Sequence, residues 1–62
     1  MAKELIWVPY LMSEDGTTRK MKLDFGRNFR ELPDVQQFMA TIDQTHPHLR
    51  GAKITWEQTP RS

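Results

Sequence analysis

The segment LIWVPYLM, residues 5–12, decides the fold because it is the longest apolar run in the chain. Its β-branched and aromatic side chains favour an extended strand over Glu4–Met12. Side chains alternate along a strand, so this one is apolar on both sides: Leu5, Trp7, Pro9 and Leu11 on one, Ile6, Val8, Tyr10 and Met12 on the other. Such a strand is typical of the middle of a sheet. Proline avoids central strands, so Pro9 requires a bulge or an early end to the pairing.

A hairpin is predicted directly after this strand. Ser13–Gly16 is a polar turn with an Asp-Gly pair, the strongest short-range hairpin signal in the sequence. Thr17–Phe25 then alternates with period two, which predicts a half-buried second strand. The side predicted to be buried carries Arg19, Met21, Leu23 and Phe25, and the polar side carries Thr18, Lys20, Lys22 and Asp24.

A single helix is predicted after a connection, Gly26–Glu31, in which Phe29 enters the core. Pro33 fits the first helical position, where its missing N–H costs nothing, and Asp34 places negative charge near the helix N-terminus. Apolar residues then recur at helical spacing, at Val35, Phe38, Met39 and Ile42. Pro47 disfavours helical geometry at the residue before it, so the helix is expected to end near Thr45.

The third strand is predicted over Ala52–Glu57, where apolar and polar residues alternate again. Residues 59–62 are expected to form a flexible tail. The sequence thus predicts one small domain over residues 1–62, of α+β class with connectivity ββαβ. It has a three-stranded antiparallel sheet in the order 2-1-3, with one helix on one face.

One helix covers only one face of such a sheet, so the other face is expected to be open. The flanking strands contribute lysines and a threonine to it, and one apolar row of the first strand lies at its centre. That row is either Trp7 with Leu11 or Val8 with Tyr10. An apolar row left open on a sheet marks an interaction surface. The candidate binding residues are Trp7, Tyr10, Leu11, Lys20, Lys22, Lys53 and Thr55.

Size and composition favour self-association. A chain of 62 residues buries little apolar surface, and zero cysteines exclude both disulfides and thiolate metal sites as a source of stability. An unusually good core or self-association remains as a source of stability, and we expect a homodimer. Residues 5–12 are too few to span a bilayer, and Met1–Glu4 carries an acidic residue with no small-residue cleavage site after it. Together with the lack of cysteine, this predicts a cytoplasmic protein with no membrane partner.

Enzymatic function is not expected. The three glycines are scattered and form no phosphate-binding loop, and Ser13 beside Glu14 and Asp15 is typical of a turn. His46 and His48 lack the further ligands that a metal site needs. No catalytic residue, cofactor or metal is therefore predicted.

Two binding functions remain. The first is a small adaptor or regulatory protein that binds protein, with self-association through the open sheet face. Very short proteins without an enzymatic site are often accessory proteins, some of them from phages or other mobile elements. The alternative is a single-stranded nucleic-acid-binding module that stacks bases on an aromatic side chain flanked by lysines. A net charge of +1 favours the first, because nucleic-acid-binding domains usually carry a larger basic excess.

Overall fold

The computed structural model describes residues 4–61. Its elements are β1 (Leu5–Met12), β2 (Arg19–Lys22), α1 (Leu32–Thr45), a short 3-10 turn (Pro47–Leu49) and β3 (Ile54–Pro60). The sheet has the order β2-β1-β3, and both pairings are antiparallel. This confirms the predicted α+β fold, ββαβ, with β1 at the centre.

The turn between β1 and β2 is held by the Asp15 carboxylate. Its Oδ1 accepts hydrogen bonds from the Ser13 hydroxyl at 2.5 Å, the Thr17 hydroxyl at 2.8 Å and the Thr17 amide at 3.1 Å. Gly16 follows with φ +76°, a conformation that costs glycine little. These contacts explain why the Asp-Gly pair ends β1 and reverses the chain.

A pH-dependent contribution to stability follows from this turn. The three hydrogen bonds, led by that of the Ser13 hydroxyl, lower the pKa of Asp15 from 3.8 to about 2. A pKa that is lower in the folded state contributes stability above about pH 4, and that contribution is lost as the pH falls towards 2. We therefore expect the stability difference between the unaltered chain and Asp15→Asn to shrink over that interval in urea titrations. The same difference for Glu14→Gln serves as the control; an Asp15→Asn difference that is constant with pH would contradict this account.

Pro9 is accommodated because β2 leaves the sheet beside it. The carbonyl of Pro9 accepts a hydrogen bond from the Leu23 amide at 3.0 Å, so the nitrogen of Pro9 faces the same side. The pairing of β1 with β2 ends at Pro9. Because the nitrogen of Pro9 faces away from β3, the hydrogen bonds between β1 and β3 lose no donor. The early end of pairing, one of the two expected solutions, is the one that the structure shows.

The second strand is shorter than the predicted Thr17–Phe25, because the chain loops out after Lys22 and returns at Phe29. The Phe29 carbonyl accepts a hydrogen bond from the Trp7 amide at 2.7 Å, which holds the loop against β1. Phe29 is the most buried large side chain, with 1% exposure, as the sequence predicts. Phe29 is therefore the residue of the connection that belongs to the core, while its neighbours from 26 to 31 are exposed.

The helix begins and ends close to where the sequence predicts. It begins at Leu32, so Pro33 is its second residue and not its first as predicted, and His46 follows its last residue. Val35 and Ile42 are buried at 4% and 6% exposure. The Phe38 ring contacts an aromatic cluster beneath the helix, with centroid distances of 4.6 Å to Phe25, 5.0 Å to Phe29 and 6.2 Å to Trp56. Large aromatic rings thus fill the layer between helix and sheet.

The third strand starts later than predicted and continues to Pro60, into the segment predicted as a tail. Pro60 pairs with Leu5, and the Arg61 amide donates to the Glu4 carbonyl at 2.8 Å. Since residue 61 bonds to β1, the nitrogen of residue 60 faces away from it, and proline there removes no ladder bond. The tail prediction is thus wrong for residues 59 and 60, and Ser62 lies outside the described residues.

Candidate binding surface

The strand register decides which apolar row of β1 faces away from the helix. Tyr10 pairs with Lys22 on one side and with Thr55 on the other, so these three candidate residues share one face. By alternation the same face carries the rest of that row of β1. We call this surface the helix-free face. It comprises Ile6, Val8, Tyr10, Met12, Arg19, Lys22, Thr55, Glu57 and Thr59.

Trp7 and Leu11 lie on the opposite side, towards the helix. Trp7 pairs with Phe29, whose ring contacts Phe38 of α1. Leu11 pairs with Ile54. Ile54 lies two residues before Trp56 and therefore on the same face of β3 as this member of the aromatic cluster. The two residues therefore belong to the core side of the sheet, and Tyr10 is the aromatic residue of the helix-free face.

The lysines of the candidate surface are not all brought together. Lys20 is the extra residue of a β-bulge, because Leu11 pairs with Met21 while Met12 pairs with Arg19. Lys53 precedes β3 and extends beside Gly16 in the hairpin turn. Both lysines line a pocket of about 340 Å³ at the hairpin end of the molecule. Only Lys22 lies directly beside Tyr10.

The bulge also places Arg19 on the helix-free face, which the alternation of β2 did not predict. Alternation puts Arg19 on the side of Met21, but the extra residue between them reverses its direction. Its guanidinium lies over the Tyr10 ring, 4.4 Å from the centroid, and forms an ion pair with Glu57. The prediction for Arg19 is therefore wrong. No local sequence signal marks a bulge at Lys20.

Arg19 and Glu57 partly cover the apolar row. Their side chains are 50% and 43% exposed, so the ion pair contributes at most about 1 kcal/mol. Beneath and around them, Ile6, Tyr10 and Met12 are half-buried, and Val8 is 5% exposed. The face thus combines half-buried apolar groups with charges of both signs.

Other parts of the described chain offer less chemistry. A pocket of about 410 Å³ lies where β2 leaves β1, lined by residues of both signs of charge from segments 6–9 and 22–29. The His46 side chain contacts its neighbours in the fold. Its Nδ1 lies 2.9 Å from the Thr45 hydroxyl, and its ring centroid lies 5.0 Å from that of Phe25. Residues 4–61 contain no group of three side chains that could hold a metal ion.

Comparison with protein-family models, curated proteins and solved structures finds no match to this chain. Between residues 4 and 61, no helix has the length and apolar character needed to cross a membrane.

Proposed function

We propose that the chain is a non-enzymatic protein-binding module of accessory or regulatory type that works as a homodimer. Its contact surface is the part of the sheet that the helix leaves free, which consists of the helix-free face, partly covered by Arg19 and Glu57, and the exposed edge of β3. The observation that carries this proposal is the small interior. Only five described residues are buried: Val8, Pro9, Phe29, Val35 and Ile42.

The dimensions of the molecule agree with a sheet that lacks a covering layer on one face. Its extents are 39 × 24 × 17 Å and its radius of gyration is 12.2 Å, against about 10.6 Å for a compact chain of this length. Its accessible surface is 4832 Å², whereas the usual scaling with mass gives about 4,200 Å². A partner that binds at the helix-free face or at the β3 edge would bury part of this surplus. A partner that binds the folded state and not the unfolded state stabilises the folded state. A second copy therefore also supplies stability that so small a core lacks.

The helix-free face suits a protein better than a nucleic acid. Tyrosine and arginine are enriched in protein interfaces, and both are present at its centre. Glu57 and Arg19 give it charges of both signs, which a protein partner can complement. For single-stranded nucleic acid, a base would need the Tyr10 ring, but Arg19 already lies over it. Two of the three candidate lysines are at the hairpin end.

The test is the mass of the chain in solution as a function of concentration and salt. Sedimentation equilibrium from micromolar to millimolar chain is expected to show conversion to a dimer, with little dependence on salt because salt screens neither apolar burial nor backbone hydrogen bonds as it screens ion pairs. The melting temperature is expected to rise with concentration. A monomer with a constant melting temperature throughout would overturn the proposal.

Titration of a fluorescent single-stranded oligonucleotide under the same conditions distinguishes the alternative function, nucleic-acid binding, from protein binding. We expect no binding at moderate salt. Binding that weakens steeply with added salt, and that is lost in Lys20→Glu/Lys22→Glu, would instead support nucleic-acid binding.

A further inference from the structure

The outer edge of β3 carries a row of unpaired backbone groups. The Met12 amide bonds to the Lys53 carbonyl, and the Arg61 amide bonds to the Glu4 carbonyl, both at 2.8 Å. Since bonded residues alternate along an antiparallel pair, the odd-numbered residues of β3 face β1. The N–H and C=O groups of Ile54, Trp56 and Gln58 therefore face away from it. Within residues 4–61 these outward groups have no hydrogen-bond partner.

The two edges of the sheet are defended differently. At the β2 edge, three of the four strand residues are basic, and the strand is short. Lysine and arginine on an edge discourage pairing with another chain. The β3 edge is seven residues long, and Glu57 is its one charged residue. Its long, weakly charged edge is thus the one open to strand addition.

We propose that two copies of the chain join through β3, antiparallel, with the twofold axis at Trp56, into one continuous six-stranded sheet. This inference rests on the proposed homodimer and names the contact that forms it. Trp56 then pairs with Trp56 of the second copy, and Ile54 pairs with Gln58 of the second copy. Every outward-facing residue of this edge that has an N–H thereby pairs with another.

Neighbouring registers are less favourable. An axis at Glu57 sets two carboxylates directly opposite each other, which destabilises a strand pair, and it sets Ile54 against Pro60, which lacks an N–H. An axis at Thr55 sets Gln58 against Ala52, whose amide already donates to the Leu49 carbonyl at 3.0 Å. With the axis at Trp56, Glu57 lies opposite Thr55 of the second copy, and no like charges meet. The axis at Trp56 is therefore the favoured register.

Disulfide crosslinking tests the register directly, because the chain has no cysteine of its own. Two single variants, Thr55→Cys and Glu57→Cys, are prepared and oxidised with oxidised glutathione, separately and mixed. In the proposed register these positions lie opposite each other across the dimer, within reach of a disulfide. Each cysteine lies roughly 7–8 Å from its own symmetry mate, which is too far. We expect crosslinked dimer in the mixture and little in either variant alone.

Each other outcome is informative. Self-crosslinking of Thr55→Cys alone, or of Glu57→Cys alone, would place the axis at that residue and overturn the proposed register. No crosslink in a chain that sediments as a dimer would exclude the β3 edge while leaving the proposed function in place. A chain that stays monomeric would overturn both.

A proline variant tests the hydrogen bonds without cysteine chemistry. Gln58→Pro removes an outward N–H from each copy but no bond to β1, so the monomer fold is retained. We expect its dimer dissociation constant to rise roughly tenfold or more. Gln58→Ala keeps the N–H and is the matched control, with the fold of both checked by circular dichroism. Equal dissociation constants for the two folded variants would contradict edge pairing.

Discussion

Phe29→Ala is expected to leave the chain largely unfolded at room temperature. Truncation of a buried phenylalanine costs about 3–5 kcal/mol, and a core of this size supplies about the same amount in total. Phe29 is 1% exposed and contacts the rings of Phe38 at 5.0 Å and Trp56 at 4.9 Å, with the Arg27 guanidinium 4.4 Å from its centroid. It also lies in the segment that returns to β1. Loss of the Phe29 ring therefore leaves a cavity at the centre of the aromatic layer.

Thermal melting followed by near- and far-ultraviolet circular dichroism measures this effect. Leu32→Ala is the matched control, since Leu32 is 46% exposed at the start of α1 and should change the melting temperature little. All samples are compared at one protein concentration, because self-association would shift the melting temperature. A Phe29→Ala melting curve that overlays that of Leu32→Ala would show that the aromatic layer is not what holds the sheet and helix together.

Much of the fold follows from patterns that are local in the sequence. Residues 5–12 are apolar on both sides, which requires a central position, and the stripe from Val35 to Ile42 has helical period over a single face. Pro33 and Pro47 mark the helix ends through their own backbone geometry. Each signal involves residues a few positions apart, so it can be recognised without knowing what lies across the sheet.

The errors arise where pairing between distant segments decides the outcome. The bulge at Lys20 depends on how β2 aligns with β1, and it moves Arg19 onto Tyr10 against the alternation of β2. The extension of β3 to Pro60 depends on which side of the strand bonds to β1. Of the candidate surface, Tyr10, Lys22 and Thr55 are brought together. The choice between the two rows of β1 needed the register, which alternation alone does not supply.

Trp56→Ala and Trp56→Phe are expected to differ widely in stability. Trp56 lies beside three aromatic rings, with centroids 4.9 Å away at Phe29, 6.0 Å at Phe25 and 6.2 Å at Phe38. Loss of the whole side chain costs about 3–5 kcal/mol, enough to unfold the domain. Phenylalanine keeps an aromatic ring in this layer. It also removes the indole N–H, which is buried without a hydrogen-bond partner among the described residues.

An unsatisfied buried donor costs about 1–3 kcal/mol, so its removal offsets much of the volume lost in Trp56→Phe. We expect Trp56→Phe to stay folded, with a melting temperature close to that of the unaltered chain, and Trp56→Ala to lack a cooperative transition. The backbone of residue 56 is the same in all three, so Trp56→Phe should still pair at the β3 edge. Melting curves at matched concentration decide the matter. If Trp56→Phe were as unstable as Trp56→Ala, the volume lost from the aromatic layer would outweigh the removal of the unpaired indole N–H, and this account would be wrong.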